Sequence, residues 1–565
     1  AVFHPEFIDK DEIGSIRSIY SMPANMSQNV YRKALQYALE RSLSEIKETL
    51  PKYLLDKYCY PDIKDAVKTL HNPETSYNAE SITARKHPAY ARFIYEELFY
   101  TQLAMQLKRR VYASACGISF MIDKDYLNRI KEIMPFKLTK GQKKTTVDIF
   151  NDMASANQMN RLIQGDVGSG KTIIAFIAAA IAIHNGYQTV MVAPTEALAE
   201  QHYHNALKFF TGLNINVCIL TGSITKKNKD EIKYGTALGS VQLLIGTHAI
   251  FEDNVQFNKL GLIIADEQHR FGVRQRKLLI DKGYTPDILL MTATPIPRTL
   301  AMTLYGDLNV SVIDDLPPGR IPCITEAYNA ADLKKAFNFV SEKLNLGQKA
   351  YFIYPLIDES DKLELKAATA SYEEVKKFFK NKKVGLLHGK MKADEKRALL
   401  YEFKSGDVDI LVSTTVVEVG VDVPDATVIL IENAERFGLS QLHQLRGRVG
   451  RNDMQSYCLL IASENISENG RKRIDAMLKY SDGFNLAEAD LKLRGQGDFF
   501  GTKQSGLPEF QFADILQDYK YINMTMEDAS DIIKRDPNLS AAENQVILET
   551  FKSIYDDSYS YFGIG

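Results

Sequence analysis

Apolar residues along the chain change their spacing near residue 133. Before this point they recur every three or four positions, which is the spacing of helices that bury one face. The pattern predicts helices over residues 28–50, near residues 62–70 and over residues 88–114, and it predicts that Pro51 ends the first of them. We therefore expect residues 1–133 to form a helical region.

From residue 134 onward, short apolar runs rich in valine, isoleucine and leucine alternate with helical patterns. This alternation indicates parallel sheets that are covered by helices on both faces. The predicted strands before a linker at residues 316–322 are residues 161–164, 189–193, 241–245, 260–265 and 288–291. The predicted strands after the linker are residues 350–354, 384–387, 409–413, 427–431 and 457–461.

The predicted fold class is therefore α/β, with two doubly wound parallel-sheet domains, an amino-terminal helical region and a carboxy-terminal helical tail. We place the sheet domains at residues 134–322 and 323–484, because the prolines and glycine of the linker favour a break between them. The tail takes residues 485–565, and its pattern predicts two helices within residues 511–556.

Composition narrows the class of protein further. The chain has 565 residues, of which 25% are charged, and a formal net charge of −2, which neither supports nor excludes a nucleic-acid partner. Apolar runs stay below the roughly 18 residues of a membrane span, and the first ten residues are polar, so we expect neither a membrane segment nor a signal peptide. The five cysteines are scattered, which argues for reduced thiols in the cytoplasm and against a zinc site or a disulfide framework.

Residues 165–172 fit the phosphate-binding pattern G-x-x-x-x-G-K-[ST] without a mismatch. Glycines let such a loop turn its backbone N–H groups toward phosphate oxygens, and the following helix adds the positive end of its dipole. Lys171 can reach the β- and γ-phosphates, and the Thr172 hydroxyl can ligate Mg²⁺. The other residues of this cradle are Gly165, Gly168, Ser169 and Gly170. The sequence therefore predicts a protein that binds and hydrolyses a nucleoside triphosphate.

Two further pairs of residues suit the same chemistry. Asp266 and Glu267 follow a predicted strand, where ligands of parallel sheets sit, so Asp266 can hold Mg²⁺ and Glu267 can polarise the attacking water. An ordinary charged strand end is the alternative, and the upstream phosphate loop makes it the weaker one. Before that loop, the Gln142 amide can meet the adenine edge and Phe136 can stack on the ring.

The second sheet domain has no phosphate loop but carries a basic stretch at residues 444–451. Arg448 and Arg451 lie three positions apart, so on a helix they share one face. Guanidinium groups that reach a γ-phosphate from a neighbouring domain act as arginine fingers. A basic helix with ordinary surface charge is the alternative interpretation.

Taken together, these stretches resemble superfamily 2 helicases and, more closely, the RecG family of bacterial ATP-dependent DNA helicases. The motifs shared with helicases in general are residues 165–172, 194–196, 221–222, 246–248, 266–269, 292–295, 413–424 and 444–451. Stretches more particular to the family are residues 266–273, 291–299 and 316–320, and residues 494–497 resemble a motif that the family shares with the transcription-repair coupling factor. In that group this last motif is held to couple ATP-driven domain closure to movement on duplex DNA.

The resemblance implies RecA-like sheet domains and a role for each matching residue. Lys171, Thr172, Asp266 and Glu267 match the ATP and Mg²⁺ groups, Gln142 the adenine reader, and Arg448 and Arg451 the fingers. Residues expected near the nucleotide in the closed state are Gly420 and Asp422. Residues expected near the DNA backbone are Pro194, Thr195, Thr221, Gly222, Thr247 and His248. Residues expected to link hydrolysis to DNA movement are Thr292, Thr294, Gln444, Arg494 and Gln496.

The family also implies partners and one departure. Its members act on branched and duplex DNA, such as stalled forks and Holliday junctions, in recombination and repair. The resemblance also implies that the protein is a monomer and that a single-strand-binding protein is a partner. They carry an amino-terminal wedge domain built on an OB-fold, and residues 1–6 resemble only the end of it. We therefore expect ATP hydrolysis and movement on duplex DNA with poor strand separation.

Two other functions stay open at this point. One is a double-strand translocase that displaces bound protein, as the coupling factor does. The other is a nucleotide-switched module that holds branched DNA without moving.

Overall fold

The computed structural model divides the chain into two compact units. The helical unit comprises residues 1–111, 302–307 and 505–565, and the sheet unit comprises residues 112–301 and 308–504. The residues that the structure describes are 16–20, 26–73, 85–114, 117–134, 136–267, 278–279, 282–283, 285–292, 308–315, 321–355, 361–389, 391–414, 423–450, 452–494, 510–514 and 517–555.

The helices, numbered in chain order, are α1 Gln28–Ser42, α2 Lys52–Tyr58, α3 Ile63–His71, α4 Pro88–Ser114, α5 Lys124–Ile133, α6 Lys140–Ala154, α7 Lys171–His184, α8 Glu196–Phe210, α9 Lys226–Leu238, α10 Leu333–Asn345, α11 Asp361–Phe378, α12 Ala393–Ser405, α13 Leu439–Arg446, α14 Glu468–Lys479, α15 Gly483–Arg494, α16 Tyr519–Arg535 and α17 Gln545–Ile554. The strands are β1 Asn160–Gly165, β2 Gln188–Val192, β3 Val217–Leu220, β4 Leu243–Gly246, β5 Leu260–Ala265, β6 Asp287–Thr292, β7 Asn309–Ile313, β8 Ile324–Asn329, β9 Lys349–Ile353, β10 Val384–Leu387, β11 Ile410–Ser413, β12 Ala426–Glu432 and β13 Tyr457–Ala462.

The helical unit confirms the long helix over residues 88–114 and the two helices in the tail, α16 and α17. The first predicted helix is wrong at its end, because α1 stops at Ser42 instead of reaching residue 50. A short 3₁₀ turn over Leu43–Glu45 follows α1, and the backbone becomes extended at Ile46, where ψ is 121°. Beyond it, the Glu48 side chain accepts the backbone N–H groups of Thr49 and Leu50, at 2.9 and 3.0 Å. The fully buried Arg92 holds Glu48 in place through an ion pair.

One carboxylate joins three helices of the helical unit. Asp528 on α16 accepts Lys57 Nζ at 2.6 Å, the Tyr58 hydroxyl at 2.8 Å and the Tyr95 hydroxyl at 2.6 Å. Two of these donors belong to α2 and the third to α4, so residues from both ends of the sequence depend on one another for their packing.

The sheet unit contains two sheets whose strands all run parallel, as predicted. The first has the order β3-β4-β2-β5-β6-β1-β7, and the second has the order β10-β11-β9-β12-β13-β8. Every predicted strand is present, whereas β3, β7 and β8 were not predicted. The predicted domain limits at 133/134, 322/323 and 484/485 stay predictions.

Helices cover the first sheet, and α7 is the most deeply buried of those that the structure describes there. Its residues from Ile174 to Ile183 are all buried, in a core shared with Ile163 of β1 and Met191 of β2. An apolar helix of this kind fits only between a sheet and further helices, which explains its nearly uniform hydrophobic sequence. Within the described part of the chain, no helix combines the length and the apolar character that crossing a membrane requires.

The predicted motifs of the first sheet lie at its carboxyl edge. β1 runs into the phosphate loop, β5 runs into Asp266, and Gln164 lies opposite Thr292 in the register of β1 and β6. Parallel strands deliver these segments to a single edge, which is where ligands of such sheets bind.

At the opposite end of β6, Asp287 is a fully buried acid. Its Oδ1 accepts the backbone N–H of Met159 at 2.7 Å, and its Oδ2 has no partner among the described residues. Burial raises the pKa of Asp287 to about 8, and the negative charge of Asp152 acts in the same direction. The carboxyl group is therefore protonated in the folded protein at neutral pH.

We expect this acid to make the first sheet less stable as the pH rises. The unfolded chain loses the proton near pH 4, whereas the folded chain keeps it until about pH 8, so stability falls between these values by up to about 1.4 kcal/mol per pH unit. Asp287→Asn keeps the acceptor for Met159 and removes the titration. The variant should unfold about 5 °C or more above the parent at pH 8 and converge with it near pH 4.5, as measured by calorimetry. Asp253→Asn, at an exposed acid, should keep the parental pH dependence, and equal profiles for all three proteins would contradict the assignment.

Candidate nucleotide-binding site

The phosphate loop has the backbone that its glycines predict. Gly168 and Gly170 have φ values of +75° and +85°, in the left-handed region that favours glycine. A side chain on Gly170 would also clash with Nε2 of the Gln142 amide. The loop therefore curls tightly into the start of α7, with its backbone near the place that phosphate oxygens take in such loops.

Lys171, the first residue of α7, folds back onto the loop. Its Nζ donates to the carbonyl oxygens of Gly165 and Asp166, at 2.8 and 2.9 Å, and lies 3.5 Å from Ser169 Oγ. Thr172 follows as the second residue of the helix and is partly exposed. The ammonium group is thus held at the loop, within a short side-chain movement of the phosphate cradle.

Gln142 is nine-tenths or more buried and is engaged at both ends of its amide. Its Oε1 accepts the Thr139 N–H at 2.9 Å in a capping box that begins α6, and its Nε2 donates to the Ser169 carbonyl at 2.8 Å. Gln142 therefore braces the phosphate loop directly. Phe136 lies before this helix with half of its surface exposed, as a ring that stacks on a base would need to be.

Asp266 and Glu267 follow β5 at the edge of the sheet, as predicted. Oδ1 of Asp266 accepts the N–H of Glu267 at 3.0 Å, and Oδ2 accepts Nε2–H of His202 on α8 at 2.8 Å. Burial raises the pKa of Asp266, but the hydrogen bond from His202 and the charge of Lys171 lower it by more, so the group stays ionised. Glu267 has a φ of +52°, which is uncommon for a residue with a side chain and turns the chain sharply there.

A second carboxylate, Asp166 in the phosphate loop, is held by the second sheet domain. Its Oδ1 accepts Nε2–H of His443 on α13, and its Oδ2 accepts the N–H of Gly483 at 3.1 Å. His443 Nδ1 accepts from Arg446 at 3.2 Å, so the proton of the neutral ring is on Nε2. Burial raises the pKa of Asp166, but these hydrogen bonds and the N–H of Val167 lower it by more.

The basic stretch of the second domain differs from the prediction in its local structure. α13 ends at Arg446, and Gly450 has a φ of +75°, so Arg448 lies in a turn and not on a helix face. The expectation of a helix face is therefore wrong for Arg448, because α13 ends two residues before it, and the position of Arg451 lies outside the described residues. Arg446 instead is buried and donates to the carbonyls of Met477, Tyr480 and Ser481, at 3.1, 3.0 and 2.8 Å.

The segments predicted to lie near DNA follow three neighbouring strands at the same edge. Thr195 caps α8 by accepting the Leu198 N–H at 3.4 Å, and Lys229 Nζ donates to the Gly222 carbonyl at 2.8 Å. The remaining residues of this set are Pro194 after β2, the buried Thr221 after β3, and the buried Thr247 and the exposed His248 after β4. The structure thus brings all six residues to one edge of the first sheet.

Some predicted positions lie at or beyond the limits of the described residues. Thr292 is the buried last residue of β6, and Gln444 is half-buried on α13. The predictions that fall outside the described residues are those for Thr294, Gly420, Asp422, Arg451, Gln496 and the side chain of Arg494.

Sequence reasoning missed three residues of the site: Asp166, His202 and His443. His202 had a signal, because it lies with Ala199 and Ala206 on the buried stripe of α8, where a polar residue is unusual. Asp166 occupies a variable position of the phosphate-loop pattern, so only its tertiary contacts reveal its part.

Three family models match successive parts of the chain. The DEAD/DEAH box helicase model matches residues 139–303, and the model of the helicase conserved C-terminal domain matches residues 339–453. A third model, ATP-dependent DNA helicase RecG, domain 3, C-terminal, matches residues 480–564. The fold and the site therefore define an ATP-using helicase with two RecA-like domains.

Similarity over the whole chain identifies the family. The chain is 45% identical to the ATP-dependent DNA helicase RecG of Aquifex aeolicus over 556 residues, covering 95% of this chain and 70% of that protein. It is 45% identical to that of Bacillus subtilis over 524 residues, covering 92% and 76%. A solved structure of RecG bound to a three-way DNA junction matches with a TM-score of 0.70 and 40% identity, covering 91% of this chain and 67% of the other. The chain belongs to the RecG family of ATP-dependent DNA helicases.

Proposed function

We propose that the chain hydrolyses ATP at the edge of its first sheet and uses the cycle to move along duplex and branched DNA. Stalled replication forks and Holliday junctions are the substrates that we assign to it, in recombination and repair. The observation that carries this proposal is the convergence of the phosphate loop, Asp266, Glu267 and the strand-end motifs at one edge, with His443 of the second domain in contact with the loop. The three-way junction in the related RecG structure supports the choice of DNA.

In the proposed reaction, Lys171 leaves the loop carbonyls and donates to the β- and γ-phosphate oxygens. Glu267 orients the attacking water, and Arg448 and Arg451 approach the γ-phosphate when the second domain closes. Phe136 and Gln142 bind the adenine base. To do so, the Gln142 amide gives up at least one of its present hydrogen bonds, to Thr139 or to Ser169. Gly420 and Asp422 lie near the nucleotide in this closed state.

The donor set at the edge suits Mg²⁺. The Thr172 hydroxyl and the ionised Asp266 carboxylate offer the hard oxygen ligands that this ion prefers, and they follow strands that meet at one edge. When bound, the ion neutralises charge on the phosphates. The role of the protein's own residues is to keep the Asp266 carboxylate ionised and correctly oriented.

Movement follows from alternating contacts with the DNA backbone. Residues after β2, β3 and β4 hold phosphates on the first domain, while Thr292, Thr294, Gln444, Arg494 and Gln496 transmit closure to the second. Because most such contacts go to phosphates, binding should show little sequence preference and a strong dependence on salt. We also propose that the chain acts as a monomer in the cytoplasm, with a single-strand-binding protein as partner.

The proposal is tested by measuring ATP turnover in the presence of a three-way junction, a plain duplex or RNA. The three nucleic acids are supplied at equal concentration of nucleic-acid residues. We expect the junction to raise turnover by about tenfold or more, the duplex less and RNA least, because hydrolysis is coupled to branched DNA. Turnover that is the same with and without DNA would contradict the coupling. Equal stimulation by duplex and junction would favour a protein-displacing translocase instead.

A further inference from the structure

Two neighbours hold the Asp266 carboxylate from different directions. The N–H of Glu267 donates to Oδ1 at 3.0 Å, and Nε2–H of His202 donates to Oδ2 at 2.8 Å. The first donor is the next residue in the chain, whereas the second comes from α8, 64 residues away. The plane of the carboxylate is thereby fixed by one contact on each oxygen.

Among the described residues, the His202 side chain makes no polar contact other than the one with Asp266. The side chains of His202 and Asp266 are 6% and 14% exposed, and Nδ1 of the ring is buried without a partner among the described residues. Burying an imidazole with an unpaired nitrogen costs free energy, so a leucine would suit the apolar stripe of α8 better if the position served packing alone. The placement of a histidine there points to its contact with Asp266.

We infer that His202 is a positioning residue for ATP hydrolysis, which holds the Asp266 carboxylate in the orientation that Mg²⁺ binding needs. The inference rests on the proposed Mg²⁺ role of Asp266. The terminal torsion of an aspartate is broad, so an unrestrained carboxylate samples many orientations. Each carboxylate oxygen accepts through two lone pairs, so both oxygens keep acceptor capacity after these two contacts.

Nucleotide binding without turnover tests this role. Calorimetry gives the dissociation constant of ADP in the presence of Mg²⁺ and in the presence of a chelator. We call the factor by which Mg²⁺ tightens ADP binding, which is the constant in chelator divided by the constant in Mg²⁺, the Mg²⁺ gain. His202→Leu should lower the Mg²⁺ gain about tenfold while changing ADP binding in chelator by less than about twofold, because partners of ligating groups act on metal affinity. His202→Gln carries an amide N–H near the position of Nε2 and should keep the gain within about threefold of the parent.

Two further variants keep the test decisive. In His202→Asn the side chain is polar but too short to reach Oδ2, so this variant should lose the Mg²⁺ gain as His202→Leu does. If His202→Leu does not fold, His202→Asn takes its place in the test. His184 forms the same kind of pair with Asp123, with 3.2 Å between Nε2 and Oδ2, at the far end of α7. His184→Leu should therefore keep the full Mg²⁺ gain.

The outcomes separate this inference from the proposed function. If Asp266→Asn loses the Mg²⁺ gain while His202→Leu and His202→Asn keep it, the role of His202 is overturned and that of Asp266 stands. If His202→Gln loses as much as His202→Leu, donation to Oδ2 is not what matters and the inference fails. If Asp266→Asn itself keeps the gain, the proposed Mg²⁺ site is wrong, and the inference falls with it.

Discussion

Lys171→Ala is expected to lower ATP turnover by at least about 100-fold, since a preorganised charge at a phosphoryl-transfer site typically contributes this much. The Nζ group is held at the loop by two carbonyl oxygens, with Ser169 Oγ 3.5 Å away, so it needs little reorganisation to reach a phosphate. DNA binding without nucleotide should change by less than about threefold, because Lys171 is 8% exposed and has little surface to offer the DNA. Steady-state turnover and junction binding measure the two effects.

Lys144→Ala is the matched control, because Lys144 is an exposed lysine on α6 in the same domain. It should leave turnover near the parental value. If the Lys171 variant kept its turnover, the assignment of the phosphate site would be wrong.

Glu267→Gln should leave ATP bound but unhydrolysed, with turnover reduced about 100-fold to 10,000-fold, the range for loss of a general base. Glutamine has nearly the same shape and keeps an acceptor oxygen, so the geometry at the edge of the sheet should survive. Its amide cannot polarise the attacking water as a carboxylate does. Single-turnover hydrolysis separates this loss from a change in ATP affinity, which should stay within about threefold.

Glu252→Gln removes a carboxylate from the same domain, where it pairs with Lys233 at 2.8 Å. Turnover in this control should match the parent. A Glu267 variant that lost ATP binding in proportion to turnover would show that the residue shapes the site and does not act on the water.

The sequence predicted every described central strand but missed three of the four described edge strands, β10 being the exception. All predicted strands are present, and the three that were missed, β3, β7 and β8, each end a sheet. None of the residues of β8 is buried, and its sequence mixes apolar and polar residues, whereas β3 is apolar but only four residues long. Hydrophobic patterning therefore weakens where burial weakens.

The predicted ends of two helices were wrong for a related reason. The apolar spacing continues past Ser42, yet the backbone leaves helical geometry at Ile46, where ψ is 121°. Arg448 has helical spacing from Arg451, yet α13 ends at Arg446, before Arg448 is reached. Periodicity reports which residues face a core, whereas these ends depend on side chains and backbone angles that periodicity does not record.

Within the site, the motif residues were predictable and their supports were not. The phosphate-loop spacing predicted Lys171 and Thr172, and the place after a strand predicted Asp266 and Glu267; the structure brings both segments to one edge of the sheet. His202 and His443 act on residues 64 and 277 positions away, so only the folded chain brings donor and acceptor together. The contacts of both histidines, and with them the proposed role of His202, therefore come from the structure.

The Asp528 junction has a consequence for synthesis of the chain. Lys57 and Tyr58 leave the ribosome 471 and 470 residues before their acceptor on α16. At about 5–20 residues per second, this separation amounts to roughly 25–90 seconds in which α2 and α4 lack the third member of their cluster. Both parallel sheets are translated in that interval, so α2 and α4 reach their final packing only after the two sheets have been made.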